Sequence, residues 1–171
     1  MVVVRELGGR DLNLLGGLCD LLIDTVDGGA SVGFLAPMSR ATAHHYWEKI
    51  LGAIGPALKL WVAEDEGKLV GSVQLALCEK ENAPHRADVQ KLFVLSNYRG
   101  QGISSRLLEA VERCARSAGR TLLVLDTEQG SLAEKVYQRF GWQRAGTIPG
   151  FALTPHGKMH ATVYYYKTLA A

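Results

Sequence analysis

A polar, glycine-containing segment joins a predicted strand to the strongest helical pattern of the chain: Val94-Leu95-Ser96-Asn97-Tyr98-Arg99-Gly100-Gln101-Gly102-Ile103-Ser104-Ser105. A helix start has free backbone N–H groups at the positive end of the helix dipole, so it can bind an anion. Gly100 and Gly102 would let that backbone approach a phosphate closely. The alternative is a glycine-rich turn with a helix cap. A P-loop would require a Lys after the glycines, and the dinucleotide fingerprint would require a third glycine, so neither motif is present.

Hydrophobic periodicity on both sides of this stretch predicts one domain over residues 1–171. Strands are predicted at 2–5, 58–64, 68–77, 86–94, 121–125, 142–147 and 160–168, and helices at 11–27, 42–51, 104–118 and 131–140. The apolar run 121–125 is typical of a strand buried on both faces, and 28–34 and 149–155 are predicted loops. The order βααβββαβαββ indicates an α/β or α+β domain with a mixed sheet flanked by helices.

Composition excludes several functional classes. The chain has 19 basic and 17 acidic residues in an interspersed pattern, which argues against a nucleic-acid or membrane-surface protein. Its apolar runs are too short to span a bilayer, which takes roughly 20 residues, and no signal peptide is predicted. Its three cysteines form no Cys-x-x-Cys pair, which favours a reducing cytoplasm. No metal site is expected, because the adjacent His44 and His45 point apart on a helix.

A second stretch suited to chemistry runs from Leu125-Asp126-Thr127-Glu128 to Tyr137. Ser131 and Glu134 form the S-x-x-E pattern of a capping box, which predicts that Ser131 starts a helix. Tyr137 lies on the apolar face of that helix, where its hydroxyl needs a partner or a ligand. Asp126 is expected at the C-terminal end of the buried strand, where ligand sites form in α/β sheets.

Together the two stretches resemble the GNAT (Gcn5-related N-acetyltransferase) superfamily. Arg99-Gly100-Gln101-Gly102 resembles the family's pyrophosphate loop, Q/R-x-x-G-x-G/A. Ala133, Tyr137 and Gly141-Trp142 resemble its helix pattern, A-x-x-x-Y-x-x-x-G-[FW]. A phosphate can still be bound through backbone N–H groups despite four departures from the usual residues, at Ser96, Asn97, Ser104 and Gly130.

The resemblance implies a mostly antiparallel sheet and acetyl-CoA as co-substrate, whose thioester an amine attacks directly. The residues that it implies bind acetyl-CoA are Leu92, Phe93, Val94, Arg99, Gly100, Gln101, Gly102, Ile103, Ser104, Ser105, Ser131 and Tyr137. Backbone N–H groups around Phe93 and Val94 would face the thioester oxygen. Tyr137 occupies the position of the acid that protonates the departing thiolate. A phenol with a pKa near ~10 and a thiol with a pKa near ~8.5 are close enough for this transfer.

Two carboxylates are candidate catalytic groups for the acceptor amine. Asp88 lies in the strand 86–94, where residues 88, 90, 92 and 94 are expected to share one face. It either faces the acceptor or pairs with Arg86 or His85 near the strand end. Asp126 is either a loop cap or a second carboxylate of the site. A carboxyl with a pKa near ~4 is a weak base for an ammonium near ~10, so each could anchor the amine or abstract its proton.

The acceptor is expected to be a small-molecule amine. The segments 28–34, 88–92, 125–128 and 149–155 resemble the tabtoxin-resistance members of the family, which acetylate a β-lactam amino acid. One alternative is a protein or peptide N-acetyltransferase, which would have an open groove between loops 28–34 and 149–155. Another is a non-catalytic acetyl-CoA sensor. An edge strand among the C-terminal strands also predicts a homodimer.

Overall fold

The computed structural model describes residues 1–8 and 11–170. Its strands are β1 (Val3–Glu6), β2 (Leu58–Asp65), β3 (Lys68–Leu77), β4 (Arg86–Val94), β5 (Leu122–Glu128), β6 (Gln143–Leu153) and β7 (Met159–Thr168). Its helices are α1 (Leu15–Asp27), α2 (Arg40–Ala53), α3 (Ile103–Ser117) and α4 (Leu132–Arg139). Short 3₁₀ turns at Leu12–Leu14 and Ser96–Tyr98 precede α1 and α3. The predicted order βααβββαβαββ is confirmed.

The strands form one sheet in the order β1-β2-β3-β4-β5-β7-β6. Neighbouring strands are antiparallel except for β4 and β5, which are parallel. The predicted mixed and mostly antiparallel sheet is therefore confirmed. Helices α1 and α3 pack on β3 and β4, and α4 packs on β5.

Helix α1 packs closely on the sheet because a glycine faces it. A Cβ built on Gly17 would lie only 3.1 Å from the Cβ of Leu69 on β3. The buried face of α1 carries side chains that are fully excluded from solvent, including Leu18, Leu21, Leu22 and Val26. This face joins the core formed with β2, β3 and α3. The predicted helix 11–27 is corrected at its start, where the first turn is 3₁₀ and the α-helix begins at Leu15.

A β-bulge in β4 opens the middle of the sheet. Gln90 pairs with Gln74 of β3, but Phe93 pairs with Ser72, so two residues of β4 lie opposite one residue of β3. Lys91 in this bulge has a φ of +52°. The pairing of β4 with β5 covers only Arg86–Asp88 against Leu122–Val124, and the strands then separate. The bulge therefore lies beside the gap between the two parallel strands.

The bulge also corrects the prediction that residues 88, 90, 92 and 94 share one face. Gln74 and Ser72 are two residues apart on β3 and lie on the same face. Their partners Gln90 and Phe93 must then share that face, so Leu92 and Val94 no longer follow the alternation that starts at Asp88. The extra residue of a bulge shifts the alternation by one position.

Two further predictions about the strands are wrong. β5 continues to Glu128, so Asp126 lies within the strand rather than at its end, and Leu122 and Val124 are only half-buried. Leu122 and Val124 are only half-buried because the helix that packs on β5 is the short α4. Residues 149–153 belong to β6 and not to a loop. Pro149 is tolerated there because β6 is the edge strand and its register is irregular between Ile148 and Ala152.

Candidate active site

The gap between β4 and β5 contains the candidate site. It holds a cavity of about 390 Å³, with walls from loop residues 31–33, β4 residues 89–93 and β5 residues 126–128, and with side chains from α4, β6 and β7. Beyond Asp88, β4 pairs with β3 only, so its backbone groups on the β5 side have no strand partner in the described part of the chain. These groups can bind an extended polar ligand.

The loop before α3 has the shape of an anion site. Gly100 and Gly102 have φ values of +77° and +76°, a left-handed conformation that favours glycine. A Cβ on either would meet no atom within 4 Å, so space is open in front of the helix. α3 begins at Ile103 and has no side-chain cap, which leaves the first-turn N–H groups available to a ligand. The predicted residues 99–105 therefore fit a pyrophosphate group, which would accept from these N–H groups.

The start of this loop is attached to α1. The backbone N–H and the hydroxyl of Ser96 donate to the carboxylate of Asp24 at 2.9 and 2.8 Å. Arg99 is exposed, and its Nε donates to the carbonyl of Val94 at 3.3 Å. These bonds fix the path of the loop from β4 into α3. Ser96 occupies a position where the family often has proline, and here hydrogen bonds to Asp24 fix the backbone at that position.

The three β4 residues that the resemblance implies bind acetyl-CoA differ in their surroundings. Leu92 and Phe93 line the cavity, whereas Val94 is not among its lining residues. Phe93 is buried and packs edge-on against Trp47, with ring centroids 6.5 Å apart. Phe93 therefore packs the end of β4 against α2, and the half-buried Leu92 is one of the bulge residues that line the cavity.

Ser131 caps α4, as the capping-box pattern predicts. Its hydroxyl accepts from the N–H of Glu134 at 3.2 Å. The Glu134 carboxylate accepts from the N–H of Gly130 at 2.7 Å and from the hydroxyl of Tyr165 at 2.7 Å. These bonds fix the start of α4 between β5 and β7. They position the helix so that Ala133 and Tyr137 face the cavity.

Tyr137 is a buried phenol at the wall of the cavity. Its ring packs edge-on against Trp142, with ring centroids 5.8 Å apart. Burial, and secondarily the negative charge of Asp126, raises the pKa of Tyr137 well above that of an ordinary phenol. The hydroxyl therefore stays protonated at neutral pH and can act as a donor. No hydrogen bond occupies it within residues 1–8 and 11–170.

The structure brings Asp126 and Tyr137 to one cavity but leaves Asp88 outside it. Asp126 lines the cavity, and its Oδ2 accepts from the hydroxyl of Thr162 at 2.9 Å. Asp88 is half-buried at the last position of β4 that pairs with β5, and it is not among the lining residues. Burial raises the pKa of Asp88, and the charge of Arg86 opposes this shift.

Three polar side chains of the cavity were not expected as site residues. Lys91 projects from the bulge, and its Nζ donates to the carbonyl of Val32. The hydroxyl of Ser31 lies 2.7 Å from Nε2 of His160, whose Nδ1 faces the carbonyl of Ala161 at 2.9 Å. A lysine between Gln90 and Leu92 in an apolar strand is the only sequence signal that could have pointed to any of them.

Two structural findings concern other classes of site. Within the described residues, no group of three or more His, Cys, Asp or Glu side chains is arranged to hold a metal ion. No helix in the same part of the chain has the length and apolar character needed to cross a membrane.

Comparisons with known proteins agree on the family. Residues 56–144 match the family model described as acetyltransferase (GNAT) domain. An uncharacterized N-acetyltransferase of Azospirillum brasilense, from the hisH-hisA intergenic region, is 34% identical over 75% of this chain and 76% of its own length. N-acetyltransferase 8 of Rattus norvegicus is 40% identical, but the match covers only 50% of this chain and 40% of that protein.

The fold is also that of a solved acetyltransferase. The structure of yncA from Salmonella typhimurium, described as a putative acetyltransferase with its cofactor acetyl-CoA, superposes with a TM-score of 0.79. The match covers 100% of this chain and 95% of that chain at 14% sequence identity. Together with the matched family model and the Azospirillum relative, this places the chain in the GNAT family, and the protein is an N-acetyltransferase.

Proposed function

We propose that the enzyme transfers an acetyl group from acetyl-CoA to the amine of a small molecule, within a ternary complex. The observation that carries this proposal is the cavity of about 390 Å³, which is within the size range of small-molecule sites. Loop residues Ser31, Val32 and Gly33 form one wall of this cavity. Two contacts hold that loop against the sheet, from Ser31 to His160 and from Lys91 to Val32, and just beyond the loop the Ala36 N–H donates to the Pro155 carbonyl at 2.9 Å. These contacts fix the loop beside the cavity, which favours a small acceptor over a peptide, since a peptide would need an open groove.

Different residues would bind the cofactor, bind the acceptor and donate a proton. The bound acetyl-CoA supplies a thioester whose acetyl group is transferred. The N–H groups at the start of α3 and Arg99 would hold its phosphates, and the unpaired backbone of β4 would hold its extended arm. Asp126 would bind the acceptor as an ammonium, which must first lose one proton to solvent so that its neutral nitrogen can attack the thioester carbon. The C–S bond then breaks, and the second proton that the nitrogen loses restores the phenol of Tyr137 through solvent. Tyr137 would donate its proton to the departing sulfur, and because burial raises its pKa this transfer is less favourable than the nearly matched pair expected from ordinary values.

The first acceptor to test is a β-lactam amino acid, as the tabtoxin-resistance resemblance implies. Purified protein would be mixed with acetyl-CoA and a panel of amines, and release of the CoA thiol would be followed. We expect turnover with small amines and a loss of at least about 10-fold in kcat/KM for Asp126→Asn, the size of one charged contact. If acetyl-CoA binds but no amine in a broad panel is acetylated, the non-catalytic sensor is the better interpretation.

Two further proposals concern the setting of the enzyme. All three cysteines are free, which supports a reducing cytoplasm. The edge strand β6 exposes Ile148, Phe151 and Leu153, each 45 to 46% accessible, and a second copy of the chain would cover them. Light scattering at micromolar concentration tests the homodimer, since a monomeric mass contradicts it.

A further inference from the structure

The bulge of β4 carries an ammonium group into the cavity. Lys91 has a left-handed φ of +52°, which is uncommon for a residue with a side chain. A bulge at such a position redirects the side chain relative to a regular strand. The Lys91 side chain is directed under the loop 28–34, where Nζ donates to the Val32 carbonyl and lies 5.9 Å from the centre of the Phe34 ring.

The charge of Lys91 has no matching carboxylate. The described part of the chain contains three half-buried lysines, Lys59, Lys91 and Lys167. Lys59 pairs with Glu6 at 3.4 Å and Lys167 pairs with Glu112 at 2.6 Å. Among the described residues, no carboxylate lies within 4.0 Å of the Lys91 ammonium.

Removing the Lys91 ammonium from water costs free energy, and not all of its N–H groups have an acceptor. An ammonium has three N–H donors, and the Val32 carbonyl accepts one of them. Shielding under the loop lowers the pKa of Lys91, and the charge of Asp126 only partly opposes this shift. A shielded charge without a partner is unfavourable, so an anion that enters the cavity would relieve the cost.

We propose that Lys91 is a specificity-determining residue that binds a carboxylate of the acceptor, so that the preferred acceptor is an amino acid held between Lys91 and Asp126. Both side chains line the same cavity and carry opposite charges, which match the two charges of a zwitterion. The Phe34 ring beside Nζ shields this contact from water, which strengthens it. The inference rests on the proposed small-molecule acetyltransferase function.

The test compares acceptors that differ only in the carboxylate. L-Methionine and L-methioninamide, and L-lysine and L-lysinamide, would be acetylated by the wild-type chain and by Lys91→Met. We expect Lys91→Met to lower kcat/KM for the acids by roughly 10- to 100-fold, the range of a charge-assisted hydrogen bond, and to change it less than about 3-fold for the amides. Lys91→Arg should retain most of the preference for acids, and the exposed Lys49→Met is the matched control.

Binding gives a second readout that does not depend on turnover. In the presence of CoA, L-methionine should raise the melting temperature of the wild-type chain more than L-methioninamide does, and Lys91→Met should abolish the difference. Equal losses for acids and amides, or acetylation of amides alone, would overturn the carboxylate site and leave the acetyltransferase function standing. Failure of the wild-type chain to bind acetyl-CoA would overturn both.

Discussion

The substitution Gly102→Glu tests the phosphate loop directly. Gly102 is the residue before α3 and has a φ of +76°, and its missing Cβ faces open space. A residue with a side chain in this conformation costs about 1–2 kcal/mol of folding free energy. A carboxylate about 6 Å from a phosphate charge, at an effective dielectric constant of about 20, costs about 3 kcal/mol. We therefore expect acetyl-CoA binding to weaken about 100-fold.

The matched control is Gly119→Glu at the other end of the same helix. Gly119 has a φ of +68° and its Cβ would also meet no atom within 4 Å, so the backbone cost is similar. The length of α3 places it roughly 20 Å from the loop, beyond the range of screened repulsion. Calorimetric titration with acetyl-CoA measures the affinity and thermal melting measures stability. Equal affinities for the two variants would refute the assignment of the phosphates to this loop.

Three further predictions concern single side chains. Tyr137→Phe should lower kcat by roughly 10²- to 10⁴-fold with little change in the Kd for acetyl-CoA, and an unchanged kcat would contradict a role for the hydroxyl. Ser131→Ala should cost about 1 kcal/mol in the free energy of unfolding by chemical denaturation, whereas the exposed Ser117→Ala should cost less. Burial raises the folded-state pKa of Asp88, so its stabilising contribution exists at low pH and is lost as the pH rises through that raised value. Asp88→Asn should therefore increase thermal stability at pH 7 but not below about pH 4, and a gain that is independent of pH would argue against this explanation.

Local patterns were sufficient for the order of elements and for the glycine-rich turn before α3. The apolar face of α1, the capping box of α4 and the glycines before α3 are each contained within one segment, so their meaning can be read without knowledge of the rest of the chain. The same holds for Tyr137, whose helical position follows from the pattern around it. Predictions based on uninterrupted alternation failed in β4, because a bulge depends on how two strands pair.

The sequence alone therefore established the order of strands and helices and the glycine-rich turn before α3, since each can be recognised within a single segment. Only the tertiary structure decided which polar groups meet in the cavity. Ser31 and His160 are 129 residues apart and come together because the loop 28–34 folds over β7. Lys91 contacts Val32 because the pairing of β4 with β3 leaves one extra residue in β4, and this bulge redirects the Lys91 side chain. Such contacts depend on strand register and loop position, which no single segment of the chain specifies.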